Sequence, residues 1–343
     1  LQEDKALSRT VKLTATVLAG VLVFALVAAG MSMYFIAPVD SPDNAVMVSF
    51  YIPTGTSASR VGKMLEEEGL IKSYQAFRAL NLVFRFGSKI KAGSYVLSSS
   101  DNMMKIVRKL MDGQITSVKV TVPEGMTLTQ VAQIMERNGL CDGEEFEALA
   151  LEPPDRIIDI LGMDLGEKGL EGFLFPDTYE FSKGCGAEAV IEKMVSRFVY
   201  MTRDLLTQGE RDHGLSEYEL VTLASIVEKE AKLSEDRPRI AQVFLNRLDV
   251  DMMLQSCATI QYLLPTPKEK LLNKDLEIES EYNTYKNLGL PPGPICSPGY
   301  DSIKACVYPS GEDYLYFVAT ESGSHIFSRT YEQHIRAQRS LNN

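Results

Sequence analysis

Residues Leu13 to Val39 contain no charged side chain, and Leu13 to Ala37 reads LTATVLAGVLVFALVAAGMSMYFIA. About 20 mostly apolar residues cross the hydrocarbon core of a bilayer as a helix, so this run predicts one transmembrane helix over residues 13–37. The cations Lys5, Arg9 and Lys12 precede it. Asp40 and Asp43 follow it, and the next cation is Arg60. By the excess of Lys and Arg on the inner side, residues 1–12 are expected in the cytoplasm and everything after Val39 outside it. A cleaved signal peptide is the alternative, with Ala28-Ala29-Gly30 as a cleavage site. Its apolar core is usually only about 7–15 residues, and here the run continues to Ala37.

The remainder is a different material. The whole chain of 343 residues carries −11, with 35 basic and 46 acidic residues; without its first 39 it has 32 basic and 44 acidic residues, or −12. That balance argues against a surface built to grip nucleic acid phosphates. Roughly 300 residues can bury a core without staples. Five scattered cysteines and three histidines, with no CxxC or HExxH, argue against a zinc site and for free thiols, mostly buried.

The outer portion contains an internal echo. Residues 48–70 (VSFYIPTGTSASRVGKMLEEEGL) align without gaps on 118–140 (VKVTVPEGMTLTQVAQIMERNGL), identical at seven of 23 positions. Each copy predicts a strand, a Pro-x-Gly turn and a helix stopped by Gly69 or Gly139. The unit is either a ligand-binding βα module or a strand-turn-helix that merely packs. Between the copies the pattern predicts helices near Tyr74–Leu80 and Met103–Met111 and a strand at Ser94–Leu97.

Beyond Ala148 the texture is helical, with a turn at EGFLFPDTY (Glu171–Tyr179) and a long helix over Ala187–Leu206. Ser216 and Glu219 form a capping box that opens a helix through about Lys232. Asp236 is expected to cap the next helix, whose stripe is Ile240, Ala241, Phe244, Leu245 and Leu248. After Gln255 the chain reads as loop-rich, with a strand at Tyr314–Ala319. Strands and helices are segregated rather than alternated, which favours α+β.

Several chemical motifs fail. Ser88-x-x-Lys91 and Ser100-Asp101-Asn102 lack a Lys-Thr-Gly partner, and no nucleophile elbow, Walker loop or dinucleotide fingerprint occurs. What remains is the helix ASIVEKEA (Ala224–Ala231). Its core stripe is Leu220, Leu223, Ala224, Val227 and Ala231, and Glu228 and Glu230 lie about 200° apart around it, so they cannot act as a pair. Glu230 has Ile226 and Val227 one turn back. Desolvation against such groups suits a general acid, although an exposed charged flank is the ordinary fate of a Glu-Lys-Glu run.

ASIVEKEA is followed by Phe244-Leu245-Asn246-Arg247-Leu248 and Leu254-Gln255-Ser256. Tyr282-Asn283-Thr284-Tyr285, Gly289-Leu290-Pro291-Pro292-Gly293, Ser297-Pro298-Gly299 and Leu315–Ala319 come after, in that order. With Lys91–Tyr95 and Phe175–Thr178, these motifs resemble the YceG-like (MltG) family of endolytic murein transglycosylases across the outer portion. The resemblance implies a single-pass membrane anchor, a LysM-like module near residues 44–115 and a C-terminal mixed α/β catalytic domain over 116–343. It implies Glu230 as the catalytic residue, no metal or organic cofactor, and peptidoglycan glycan strands as the partner, with the wall-synthesis machinery as a further one. The reaction implied is cleavage of the β-1,4 bond from N-acetylmuramic acid to N-acetylglucosamine, leaving 1,6-anhydro ends and terminating nascent strands. One departure is visible: Cys257-Ala258 stand where the family usually has Asp-Pro.

Asn246, Gln255, Asn283 and Tyr285 are the candidate substrate-binding residues, since uncharged sugars are held by amides, hydroxyls and aromatic faces. Arg247 is expected either to meet a peptide-stem carboxylate or to serve a structural ion pair. Two rival readings stay open. A hydrolytic muramidase would add a second carboxylate such as Asp177 or Glu235, and a non-catalytic glycan-binding scaffold would not need Glu230.

Overall fold

The computed structural model describes Gly30 and residues 33–53, 55–113 and 117–341. Most of the expected transmembrane run 13–37 and the expected cytoplasmic residues 1–12 lie outside the described residues. Among the described residues no helix is long and apolar enough to cross a membrane. The fold is mixed α+β, with many helices and three two-stranded sheets among the described residues. It divides into two compact units at Ser117/Val118, residues 182–184 grouping with the first.

The first unit contains β1 (Met47–Ile52), α1 (Ala58–Glu67), α2 (Tyr74–Phe84), β2 (Gly93–Ser98) and α3 (Met103–Asp112). β1 and β2 pair antiparallel from Met47↔Ser98 to Ile52↔Gly93. Phe50, Ile52, Val61, Leu65, Phe77, Leu97, Ile106 and Leu110 form its core, and Tyr95 joins them by donating its hydroxyl to Lys91 O at 2.6 Å. Ile36 packs against the same core, and the Val39 and Asp40 N–H groups both donate to Ser99 O at 3.1 Å.

The second unit begins along β3 (Ser117–Thr121), then α4 (Leu128–Arg137), α5 (Gly143–Leu151), α6 (Asp155–Leu161) and β4 (Thr178–Ser182). It continues through α7 (Ala187–His213), α8 (Glu217–Glu230), α9 (Arg237–Asp249), α10 (Cys257–Leu263) and α11 (Tyr300–Val307). The hairpin β5 (Tyr316–Ala319) and β6 (His325–Ser328) and the helix α12 (Tyr331–Leu341) close it.

The sequence echo is a repeat in space as well as in letters. β1–α1 and β3–α4 share strand, turn and helix, and the stop after each helix is the same. Gly69 and Gly139 take φ of 65° and 66°, a conformation open to glycine, and Leu70 N and Leu140 N then bond back to Leu65 O and Met135 O at 2.9 and 3.1 Å.

α8 is the centre of the second unit. Ser216 Oγ accepts from Glu219 N while Glu219 Oε2 accepts from Ser216 N, the expected capping box. α7, α9, α10 and α11 pack around it, so every residue from Leu220 to Val227 is buried rather than one stripe alone. The helix stops at Glu230, two residues before the expected end, because Ala231 turns to an extended conformation (φ −79°, ψ 114°). Asp236 makes no side-chain cap: its carboxylate is taken instead by His325 Nδ1 at 2.9 Å, both side chains buried. The region after Gln255 is less loop-like than expected, since α10, α11 and α12 lie in it. Their shortness, or for α12 its polarity, hides them from a search for apolar periodicity.

Candidate active site

Glu230, at the end of α8, opens into a cleft of about 290 Å³. Gln255, Cys257, Tyr285, Arg247, Tyr316, Tyr331 and His334 also line it. Among the described lining residues Glu230 is the one carboxylate. Ser256 Oγ donates to Glu230 Oε1 at 2.5 Å, and Ala258 N approaches the same oxygen at 3.4 Å.

Ser256 is placed by local backbone chemistry. Gln255 takes φ 49°, which breaks the chain direction, and Ser256 then caps α10 by accepting from Ala258 N at 3.2 Å. Gln255 N donates to Thr284 O at 3.0 Å, Ser256 N donates to Thr284 Oγ1 at 3.0 Å, and the Thr259 and Thr284 hydroxyls pair at 3.0 Å. The Leu-Gln-Ser and Tyr-Asn-Thr-Tyr motifs are therefore two halves of one hydrogen-bonded floor.

The four candidate sugar contacts divide into two pairs. Gln255 and Tyr285 line the cleft beside Glu230. Asn283 is fully buried: its Nδ2 donates to Leu276 O and Ile278 O, and its Oδ1 accepts from Tyr285 N. Asn246 likewise spends its amide within the fold, donating to Glu312 O and Tyr314 O at 2.8 Å and accepting from Gln242 Nε2 at 2.7 Å. Neither asparagine lines the cleft. Both hold backbone that shapes it.

Arg247 lines the cleft wall and is buried. It donates to Leu315 O at 2.7 Å and Leu254 O at 2.6 Å, tying β5 to the floor, and its guanidinium lies 5.5 Å from the Tyr316 ring centroid. Its structural role among the described residues is thus to hold carbonyls rather than to form an ion pair. Burial lowers its pKa, against the opposing influence of Tyr316, Tyr285 and Glu230. Burial also pushes up the Tyr285 hydroxyl and the Cys257 thiol, which meet at 3.1 Å. Cys257 and Cys141 are the less buried of the five cysteines; Cys185, Cys296 and Cys306 are buried, and all five are free.

Sequence reasoning missed Tyr316, Tyr331 and His334. The Tyr316 and His334 rings stack at 5.4 Å, and Tyr331 leans on Tyr316 at 5.9 Å, so the cleft has an aromatic wall. His334 Nδ1 is buried there without a hydrogen-bond partner among the described residues. Tyr316 lies in the expected Tyr314–Ala319 strand, but nothing local marks that strand as facing Glu230.

Glu228 differs from the exposed flank expected of a Glu-Lys-Glu run. Its side chain is 8% exposed and accepts from Gly299 N at 3.0 Å, Ser302 Oγ at 2.7 Å and Arg237 Nη2 at 3.4 Å. Ser297-Pro298-Gly299 is the anchor for this glutamate. Ser225 Oγ in turn accepts from Ile295 N at 3.0 Å, fastening the segment after Gly-Leu-Pro-Pro-Gly to α8. The candidate second carboxylates are elsewhere. Asp177 accepts from Arg197 at 2.8 Å in an open groove on β4 and α7, and Glu235 is exposed before α9. Glu171, 5% exposed, accepts from Leu128 N at 3.0 Å and Tyr262 Oη at 3.4 Å, and burial raises its pKa to about 7.

The model of the YceG-like family matches residues 50–340. The chain belongs to this family. A Bacillus subtilis protein named endolytic murein transglycosylase is 35% identical over 309 residues, covering 86% of this chain and 85% of that one. A Streptococcus pneumoniae protein of the same name is 32% identical; the match covers 87% of this chain but 59% of the pneumococcal one. The crystal structure of a YceG-like protein from Listeria monocytogenes superposes with a TM-score of 0.57 at 35% identity, over 86% of this chain and all of that one.

Proposed function

We propose that this chain is a membrane-anchored endolytic peptidoglycan lytic transglycosylase, with residues 40–343 on the outer side and Glu230 as its catalytic acid and base. The named relatives support the reaction, and the cleft with one carboxylate is the observation that carries the mechanism. A retaining glycosidase needs a second carboxylate about 5–5.5 Å from the first, and an inverting one needs it farther off. A lytic transglycosylase needs neither.

Protonated Glu230 donates to the oxygen linking N-acetylmuramic acid to N-acetylglucosamine, and the bond from that oxygen to C1 breaks. The muramic acid's own C6 hydroxyl oxygen then bonds to C1, and its proton passes to the Glu230 carboxylate. The acid is regenerated, no water is consumed, and the new end is 1,6-anhydromuramic acid. Ser256 holds Oε1 during both transfers, Gln255 and Tyr285 offer hydrogen bonds to sugar hydroxyls and amides, and the Tyr316–His334 wall offers an apolar face to a sugar ring.

Cleavage within growing strands would end their elongation beside the synthesis machinery, with the first unit serving as a LysM-like glycan-binding module. The test is mass spectrometry of purified glycan strands after digestion. Internal fragments with anhydro ends, one water lighter than a muramidase product, are expected. Ordinary reducing ends would hand the activity to the hydrolytic reading. Protease added to intact spheroplasts tests the topology: the bulk of the chain should be degraded, and full protection would refute the outward orientation.

A further inference from the structure

Gly69 to Ser100 contains five cations, Lys72, Arg78, Arg85, Lys89 and Lys91, and no carboxylate, in a chain of net charge −11. Arg78, Arg85, Lys89 and Lys91 are exposed, and the ion pairs among the described residues of this unit use Arg60, Lys105 and Lys109 instead. Lys91 Nζ donates to a backbone carbonyl, Asp112 O, at 3.2 Å.

Among these cations, at the end of α2, Leu82, Val83 and Phe84 are 77%, 72% and 59% exposed. Successive helical residues point about 100° apart, so three exposed in a row means that this helix end protrudes on several sides. Its one buried residue is Phe77, a turn and more before them. Bulky apolar residues flanked along the chain by exposed cations match an anionic lipid surface, whose phosphates attract the charges while its acyl boundary takes the apolar side chains.

The chain also enters this unit without slack. Ile36 packs on the core, Val39 and Asp40 bond to Ser99, and Lys72 Nζ lies 4.5 Å from the Tyr34 ring centroid. α2 starts two residues after Lys72, and its 11 residues span about 16 Å. The protruding end is therefore one helix and two residues along the chain from Lys72, whose side chain meets Tyr34 of the apolar run.

We propose that the α2 end of the first unit docks on the anionic bilayer surface, inserting Leu82, Val83 and Phe84 with Arg78, Arg85 and Lys89 on lipid phosphates. This rests on the reading of residues 13–37 as a membrane anchor. Docking would hold the unit against the membrane.

The chain has no tryptophan, so Phe84→Trp creates a sole indole reporter at an exposed position. The full chain carrying it is reconstituted into phosphatidylcholine vesicles with about one third phosphatidylglycerol, with and without acyl-brominated lipid. Phe24→Trp, inside the apolar run, is measured in parallel. Expected are quenching of both reporters, and a loss of at least about half of the quenching at position 84 when Arg78, Arg85 and Lys89 are all changed to Glu. Quenching at position 24 but not 84 overturns the docking and leaves the anchor standing. Quenching at neither removes the anchor and the docking with it. Blue-shifted emission from position 84 untouched by brominated lipid means that protein covers the patch. Quenching at position 84 that is indifferent to the three Glu changes denies the anionic surface its role. Each of these overturns the proposal.

Discussion

Ser256 Oγ donates to Glu230 Oε1 at 2.5 Å, joining the end of α8 to the start of α10 across 26 positions of sequence. One hydroxyl thus holds a carboxylate and caps a helix, by donating to the first and accepting from Ala258 N in the second. Ser256→Ala should lose about 1 kcal/mol of stability through the lost cap. It should also lower strand cleavage by roughly tenfold, as one hydrogen bond to a charged group would. Ser256→Thr should restore both. Denaturant melts and cleavage rates on the three proteins decide it, and an Ala variant as active as wild type would reduce the serine to a cap.

Glu230→Gln keeps volume and can still accept from Ser256, but it can neither donate nor take the catalytic proton. Strand cleavage should fall by about 10²–10⁴-fold with the thermal midpoint nearly unchanged. Retained cleavage would remove Glu230 from the mechanism.

Glu228→Gln should do the reverse. The substitution removes the nearer charge facing Arg237, which keeps Glu124 at 3.7 Å, from a buried network that includes Gly299 N and Ser302. A stability loss of about 1–3 kcal/mol is expected, with cleavage per folded molecule largely kept. Urea unfolding beside activity normalised to folded protein separates the two glutamates. A dead but fully stable Glu228→Gln would contradict the assignment.

The two amide pairs make a second contrast. Gln255→Ala, at an exposed cleft position, should weaken substrate binding while leaving stability within about 0.5 kcal/mol of wild type. Asn283→Ala strands Leu276 O, Ile278 O and Tyr285 N inside the fold and should cost about 2–4 kcal/mol. Equal melts for the two variants would refute this division.

Glu171 gives the second unit a pH dependence. Its folded pKa of about 7 lies above the ordinary 4.5, so between those values the folded state holds a proton that the unfolded state has released. Stability is therefore full below about pH 4.5 and declines as pH rises toward 7, by an amount on the order of 3 kcal/mol. Glu171→Gln should flatten this slope in unfolding free energies measured from pH 5 to pH 8. A wild-type slope that Gln leaves unchanged would place the titration elsewhere.

Features set by short-range chemistry were legible from the residues alone. The βα echo, its Gly69 and Gly139 stops and the Ser216–Glu219 box are all visible because a turn or a cap involves neighbours within a few positions. The ordered motifs likewise point to the YceG-like family. Glu228 and Glu230 were also separable in advance, since 200° of helix rotation needs no tertiary knowledge.

What covers each side of that helix came from the folded chain. Periodicity says which way a residue points and not what arrives there: Ser302 and Gly299 come to Glu228 from more than 70 positions away, and Ser256 comes to Glu230 from 26. The same limit hid the Tyr316–His334 wall. It also made Asn246 and Asn283 look like sugar contacts, because an amide's local context is the same whether its partner is a ligand or the carbonyls of Tyr314 and Ile278. Long-range closure of the chain assigns those hydrogen bonds, and with them the difference between a residue that touches substrate and one that holds the floor beneath it.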